Sequence, residues 1–210
     1  LSLTMQMRLY QSRPFALFRL SAVNVGPERI RVRRLAIRTR PNGIETRGDP
    51  TGVYVNGWQS WSPSGFIPRD HRQYRVPFPI RWLQGPMIHN GWSPRTLRRN
   101  RYWSETVGAV VTPEEALVGG ATTLADQFVQ MSVDLRPGHE VVQLQAQLDD
   151  LPLGVGASCQ SEWFYLEWVP LPNRDPFAQY AYAVIRQMDV GSIRAAPTGW
   201  CSWYIYGNRV

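Results

Sequence analysis

The chain has 210 residues, 43% of them hydrophobic and 12% aromatic, which is enough for one sizeable core and too apolar for a disordered segment. Its formal net charge of +7 invites a polyanionic partner, but every basic residue is arginine. A phosphate-binding surface needs positive charge yet has no reason to exclude lysine, so no nucleic-acid partner is expected. No apolar run approaches the ~20 residues of a membrane-spanning helix, and no membrane association is expected.

In chain order, the stretch from Met5 to Trp168 reads mostly as strands. Phe15–Val25 (FALFRLSAVNV), Glu28–Thr39 (ERIRVRRLAIRT) and Gln127–Leu135 (QFVQMSVDL) are short β-prone runs separated by turn-forming RPNG, RGDPTG and RPGHE. In the second run, Arg29, Arg31, Arg33, Arg34 and Arg38 interleave with Ile30 and Val32, as on the solvated face of a strand. Val141–Leu148 (VVQLQAQL) puts Val142, Leu144, Ala146 and Leu148 on one face and Gln143, Gln145 and Gln147 on the other, the pattern of a half-buried antiparallel strand. Asp149-Asp150 before Leu-Pro reads as a turn. Many short strands with frequent turns predict a large antiparallel β-sandwich over residues 1–172.

The texture changes after residue 172. Phe177, Tyr180, Ala181, Val184, Ile185 and Met188 recur at helical spacing, with Asp175 as N-cap, Pro176 at the first helical position and Gly191 as the stop. Residues 173–196 are therefore read as a connecting helix and linker. The apolar run TGWCSWYIY then predicts a buried strand that opens a further domain at 197–210.

Two short motifs share one arrangement: Gly57-Trp58-Gln59-Ser60-Trp61 and Gly199-Trp200-Cys201-Ser202-Trp203. A Trp beside Gly and Ser can stack its π-face on the C–H face of a sugar while neighbouring polar groups bind the hydroxyls. It can equally well bury area in a core, and the spacing alone leaves both roles open. Glu105, Asp126, Glu162 and Glu167 are the carboxylates of a type that glycoside chemistry uses, but none stands in a distinctive motif; Glu162 and Glu167 fit strand-face or capping roles better. His71, His89, His139, Cys159 and Cys201 show neither metal-ligand spacing nor a disulfide framework, so no metal site is expected and a reducing, cytoplasmic location is favoured.

The ordered blocks NGWQSWS, EALVGGATTLADQFVQM, SEWFYLEW, DPFAQYAYAV and PTGWCSWYIYGNRV together resemble the N-terminal part of an α-galactosidase of glycoside hydrolase family 36, which also includes raffinose synthase-like transferases. The resemblance implies a large N-terminal sandwich followed by a catalytic (β/α)₈ barrel whose first strand is TGWCSWY. It implies that Trp61 reaches the galactose pocket from a sandwich loop, that Trp203 and Tyr204 line it from the barrel, and that Trp58 and Trp200 serve packing. The catalytic aspartates would lie on later barrel strands, so this chain carries no catalytic residue and should not hydrolyse anything by itself. The implied ligand is an α-galactoside oligosaccharide of the raffinose or melibiose type, cleaved with retention; no cofactor is implied, and the longer bacterial-type enzyme could form a homo-oligomer. A stand-alone carbohydrate-binding sandwich is the alternative.

Overall fold

The computed structural model describes residues 1–58, 62, 64–73, 94, 97–172 and 174–191. Among these, twelve strands and one helix follow in the order β1 (Ser2–Leu9), β2 (Phe15–Val23), β3 (Ile30–Arg38), β4 (Gly52–Val55), β5 (Gly65–Pro68), β6 (Arg101–Glu105), β7 (Val107–Val111), β8 (Glu115–Ala121), β9 (Val129–Asp134), β10 (Val141–Leu153), β11 (Ser158–Gln160), β12 (Phe164–Pro170) and α1 (Ala178–Gln187). The strands form two antiparallel sheets. The larger runs β1-β2-β12-β8-β7-β4-β5, with β11 also on β2, and the smaller runs β3-β10-β9-β6. This is the expected sandwich followed by a helix.

Period-two alternation explains how the sheets stack. On β12, Phe164 and Leu166 face the small sheet, while Tyr165 and Val169 face the opposite side. On β8, Leu117 and Ala121 join Met131 and Val133 of β9 and Val142, Leu144 and Ala146 of β10 in the core between the sheets. Gly119 lies at the closest approach: a Cβ there would stand 3.3 Å from both the Leu144 side chain and the Met131 sulfur. The arginines of β3 behave as read from the sequence. Arg31, Arg33, Arg34 and Arg38 are exposed, while Val32 and Leu35 are buried.

The structure corrects three local readings. The glutamine face of β10 is not solvated: Gln145 and Gln147 are buried, with Gln130 of β9 beside them. Gln147 Nε2 donates to Gln130 Oε1 at 2.7 Å, and Gln143 Nε2 donates to Gln145 Oε1 at 2.6 Å, so the amides satisfy part of one another's demand for partners. Asp149 and Asp150 do not end the strand. Both adopt left-handed backbone, at φ 53° and 56°, and make a bulge after which β10 pairs with β3 in a shifted register.

The third correction concerns α1, which packs on the outer face of the large sheet. Its deepest contact is Ala183, flanked by Phe177, Tyr180 and Tyr182. Ile185 and Met188 of the predicted stripe remain exposed. Asp175 acts just before the helix, its Oδ1 accepting the Phe177 N–H at 2.9 Å, and the helix starts at Ala178. The stop is Asp189 at φ 48°, not Gly191; the Val190 N–H reaches the Ile185 carbonyl at 3.0 Å to close a Schellman motif. The domain limits expected at 172/173 and 196/197 have their second boundary outside the described residues.

Candidate functional site

A cavity of about 310 Å³ opens where the loop after β4 meets the β6–β7 turn and the β8–β9 loop. Asn56 anchors the first of these. Its N–H donates to Ser104 Oγ at 2.7 Å, its Nδ2 to the Glu105 carbonyl at 3.0 Å, and its carbonyl accepts the Glu105 N–H at 2.9 Å. Gly57 follows, its N–H on Ser64 Oγ at 2.8 Å. The chain thus delivers Trp58 into the cavity wall, where its ring meets Phe128 edge-on at 5.1 Å between centroids.

Polar groups face the same space. Asn56, Asp126 and Gln127 line it together with Glu105 and Thr106. Asp126 is exposed and Glu105 buried, its Oε1 accepting the Trp103 indole N–H at 2.8 Å. Thr106 holds the tight turn between β6 and β7 at φ 67°, a left-handed conformation that a β-branched residue rarely adopts. Two backbone bonds hold it there: its N–H donates to the Val129 carbonyl and its carbonyl accepts the Ala121 N–H, both at 2.8 Å.

A second cavity, of about 440 Å³, lies between α1 and the large sheet and shares Thr106 and Leu124 with the first. Its walls are mainly apolar, among them Tyr54, Val107, Phe177, Val184 and Met188. Beneath α1, the Tyr165 hydroxyl donates to the buried Glu167 carboxylate, and the Tyr180 hydroxyl donates to the Ala121 carbonyl at 2.7 Å. Burial pushes the Glu167 carboxyl up from its ordinary range, against the opposing pull of the Tyr165 hydrogen bond and the Arg174 charge. Burial also raises both tyrosine hydroxyls.

Of the four candidate carboxylates, two therefore line the first cavity, Glu105 and Asp126. Glu162 supports its wall from behind, its Oε1 accepting the Asp126 N–H at 2.8 Å, and Glu167 lies under the helix. The support role of Glu162 agrees with the capping role expected for it. Trp58, expected only to pack, both packs and lines the cavity. Trp61, Trp203 and Tyr204 lie outside the described residues. Phe128 and Thr106 were missed: Phe128 reads as one more residue of a β run, and nothing in a Glu-Thr-Val string announces a left-handed turn. Among the described residues no cluster of His, Cys, Asp and Glu could hold a metal ion, and no helix is long and apolar enough to cross a membrane.

No family model matches the chain, and no curated protein does. Among solved structures it is similar to an alpha-galactosidase from Thermus thermophilus in complex with stachyose, at 19% identity and a TM-score of 0.42 over 93% of this chain and 36% of that one. It is also similar to a TPR-domain containing protein from Parabacteroides distasonis, at 13% identity and a TM-score of 0.41 over 93% of this chain and 33% of that one. The chain spans about a third of the length of either neighbour. A likeness at this level assigns no residue a role.

Proposed function

We propose that the chain is the N-terminal sandwich of a retaining α-galactosidase-type glycoside hydrolase, and that the cavity beside Trp58 forms part of the wall of its sugar pocket. The observation that carries this reading is the make-up of that cavity: two aromatic residues, Trp58 and Phe128, beside Asn56 and the exposed Asp126. A pyranose presents an apolar C–H face to stack on a ring and hydroxyls to bind amides and carboxylates, and about 310 Å³ is the size of a small-molecule site. Three of the motif blocks behind the family resemblance, NGWQSWS, EALVGGATTLADQFVQM and SEWFYLEW, supply or support its walls.

In this reading Trp61 continues the loop toward the terminal galactose, and Trp203 and Tyr204 line the pocket from the first barrel strand. Leu124, Phe128, Ile185 and Met188, exposed around the two cavities, suit a surface on which the barrel seats. The barrel would supply the two carboxylates of a double displacement: attack, an oxocarbenium-like transition state, then water with retention. The substrates are α-galactosides of the raffinose and melibiose type, and the work of this segment is to shape the sugar site.

The test is to follow the reading frame past Val210 and assay the full-length product on an aryl α-galactoside. At least a tenfold loss of kcat/KM is expected in both Trp58→Ala and Trp61→Ala; unchanged values would remove the loop from the pocket. A second reading, a non-catalytic sugar-binding sandwich, is favoured by the cavity's being built from sandwich residues. It predicts that residues 1–210 bind melibiose unaided, which titration calorimetry would detect.

A further inference from the structure

The β8–β9 loop that walls the cavity is stitched to a second segment, the break between β11 and β12. The Thr122 N–H donates to the Trp163 carbonyl at 2.9 Å, and the Trp163 N–H donates back to Thr123 Oγ1 at 3.1 Å. Glu162 Oε1 accepts the Asp126 N–H at 2.8 Å, while the Glu162 N–H donates to Gln127 Oε1 at 3.1 Å. Gln127 Nε2 then donates to the Gln160 carbonyl at 2.7 Å. Each strand end thus holds the other, and the clamp closes directly behind the ligand wall.

Glu162 is the unexpected member. A neutral acceptor would satisfy one backbone N–H, yet the position carries a carboxylate that is only 7% exposed. Burying that group costs desolvation, which a charge-assisted hydrogen bond offsets better than a neutral one. The residue it grips is exposed and lines the cavity, so the strong bond acts on the wall rather than on the core.

We infer that Glu162 is a positioning residue of the sugar site: through the Asp126 N–H it sets where the Asp126 carboxylate and the Phe128 ring stand. Asp126 is then the specificity-determining group, a two-oxygen acceptor for a pair of neighbouring ligand hydroxyls. Glu162 does not touch the ligand. The inference rests on the sugar-pocket reading above.

The full-length gene product tests both parts. Amide hydrogen exchange in Glu162→Ala should speed up at least tenfold across residues 124–128 and stay unchanged in β9 and β10, while Glu162→Gln, which keeps an oxygen at the same place but not its charge, should fall between the alanine variant and the wild type. With melibiose as substrate, KM should rise about tenfold in Glu162→Ala and in Asp126→Asn with kcat within twofold, and Glu162→Gln should restore it in part. Glu162→Asp, one methylene short of the Asp126 N–H, is read in the same way should the alanine variant not fold. Unaltered exchange at 124–128 overturns the positioning role whatever the kinetics show. Altered exchange in an enzyme inactive on melibiose instead overturns the sugar reading, and with it the role of Asp126.

Discussion

Two residues show how the local chemistry departs from what their neighbours suggest. Thr106 sits at φ 67°, where its branched Cβ crowds the backbone, at a cost of order 1–3 kcal/mol. Asn tolerates this conformation, so Thr106→Asn is expected to stabilise the protein by about 1 kcal/mol, seen as a higher midpoint of thermal unfolding. No gain would mean that the bonds to Val129 and Ala121 impose no strain there. Glu167 has its carboxyl raised by burial. The folded state therefore holds that proton more tightly than the unfolded state. The stability Glu167 contributes is present at acid pH and is lost as pH rises from the ordinary value of 4.5 through the folded one. Glu167→Gln can keep the acceptor for the Tyr165 hydroxyl but cannot ionise. Its stability relative to the wild type should rise between pH 4 and pH 7, and a flat difference would mean that Glu167 titrates alike in the folded and unfolded states, so that burial does not raise it.

At the scale of elements, α1 combines a strong pattern with an unusual end. Its apolar residues announce a helix, but the tightest packing passes through the small Ala183 and the rings of Phe177 and Tyr180, leaving Ile185 and Met188 to the cavity side. The Tyr165 and Tyr180 rings meet edge-on at 5.3 Å, and the Arg13 guanidinium lies 3.9 Å from the centre of the Tyr182 ring, so the first half of the helix is pinned to β12 and to the β1–β2 loop. The C-terminal stop relies on Asp189 in a left-handed conformation that favours glycine. Asp189→Gly should stabilise the helix end by about 0.5–1 kcal/mol, measured by denaturant titration; destabilisation would show that the Asp side chain does more than tolerate the turn.

For the molecule as a whole, the sheets differ in how their edges are kept from other chains. β1 is the outermost strand of the large sheet among the described residues, and Leu3, Met5, Met7 and Leu9 project from one face at 55–69% exposure. Arg8, its one charged side chain, lies across the Trp163 ring on the other face, at 4.0 Å. No charge, proline or bulge interrupts the apolar row, the arrangement that promotes edge-to-edge association. Residues 1–210 expressed alone should therefore self-associate with rising concentration, and Met5→Lys/Met7→Lys should shift light scattering toward the monomer. Equal scattering by both would show that this edge is not sticky.

Much of the architecture was legible in the sequence because alternation and turn residues are local signals. The strands of the sandwich, the solvated arginine row of β3 and the presence of α1 all follow from periodicity within a dozen residues. The buried glutamines of β10 were not legible, since an alternating polar face says nothing of what lies over it; nor was the bulge at Asp149-Asp150, where a turn-like pair is held inside a strand by pairing with β3. The site divides the same way. NGW marked a loop of interest by composition alone, whereas Phe128, Asp126, Thr106 and the grip of Glu162 became one wall only when β4, β6, β8 and β12 were paired in space. Side-chain periodicity is encoded along the chain and survives any fold that uses it. Which residues share a cavity depends on contacts between positions up to about a hundred residues apart, which are decided only when the strands pair and the two sheets stack.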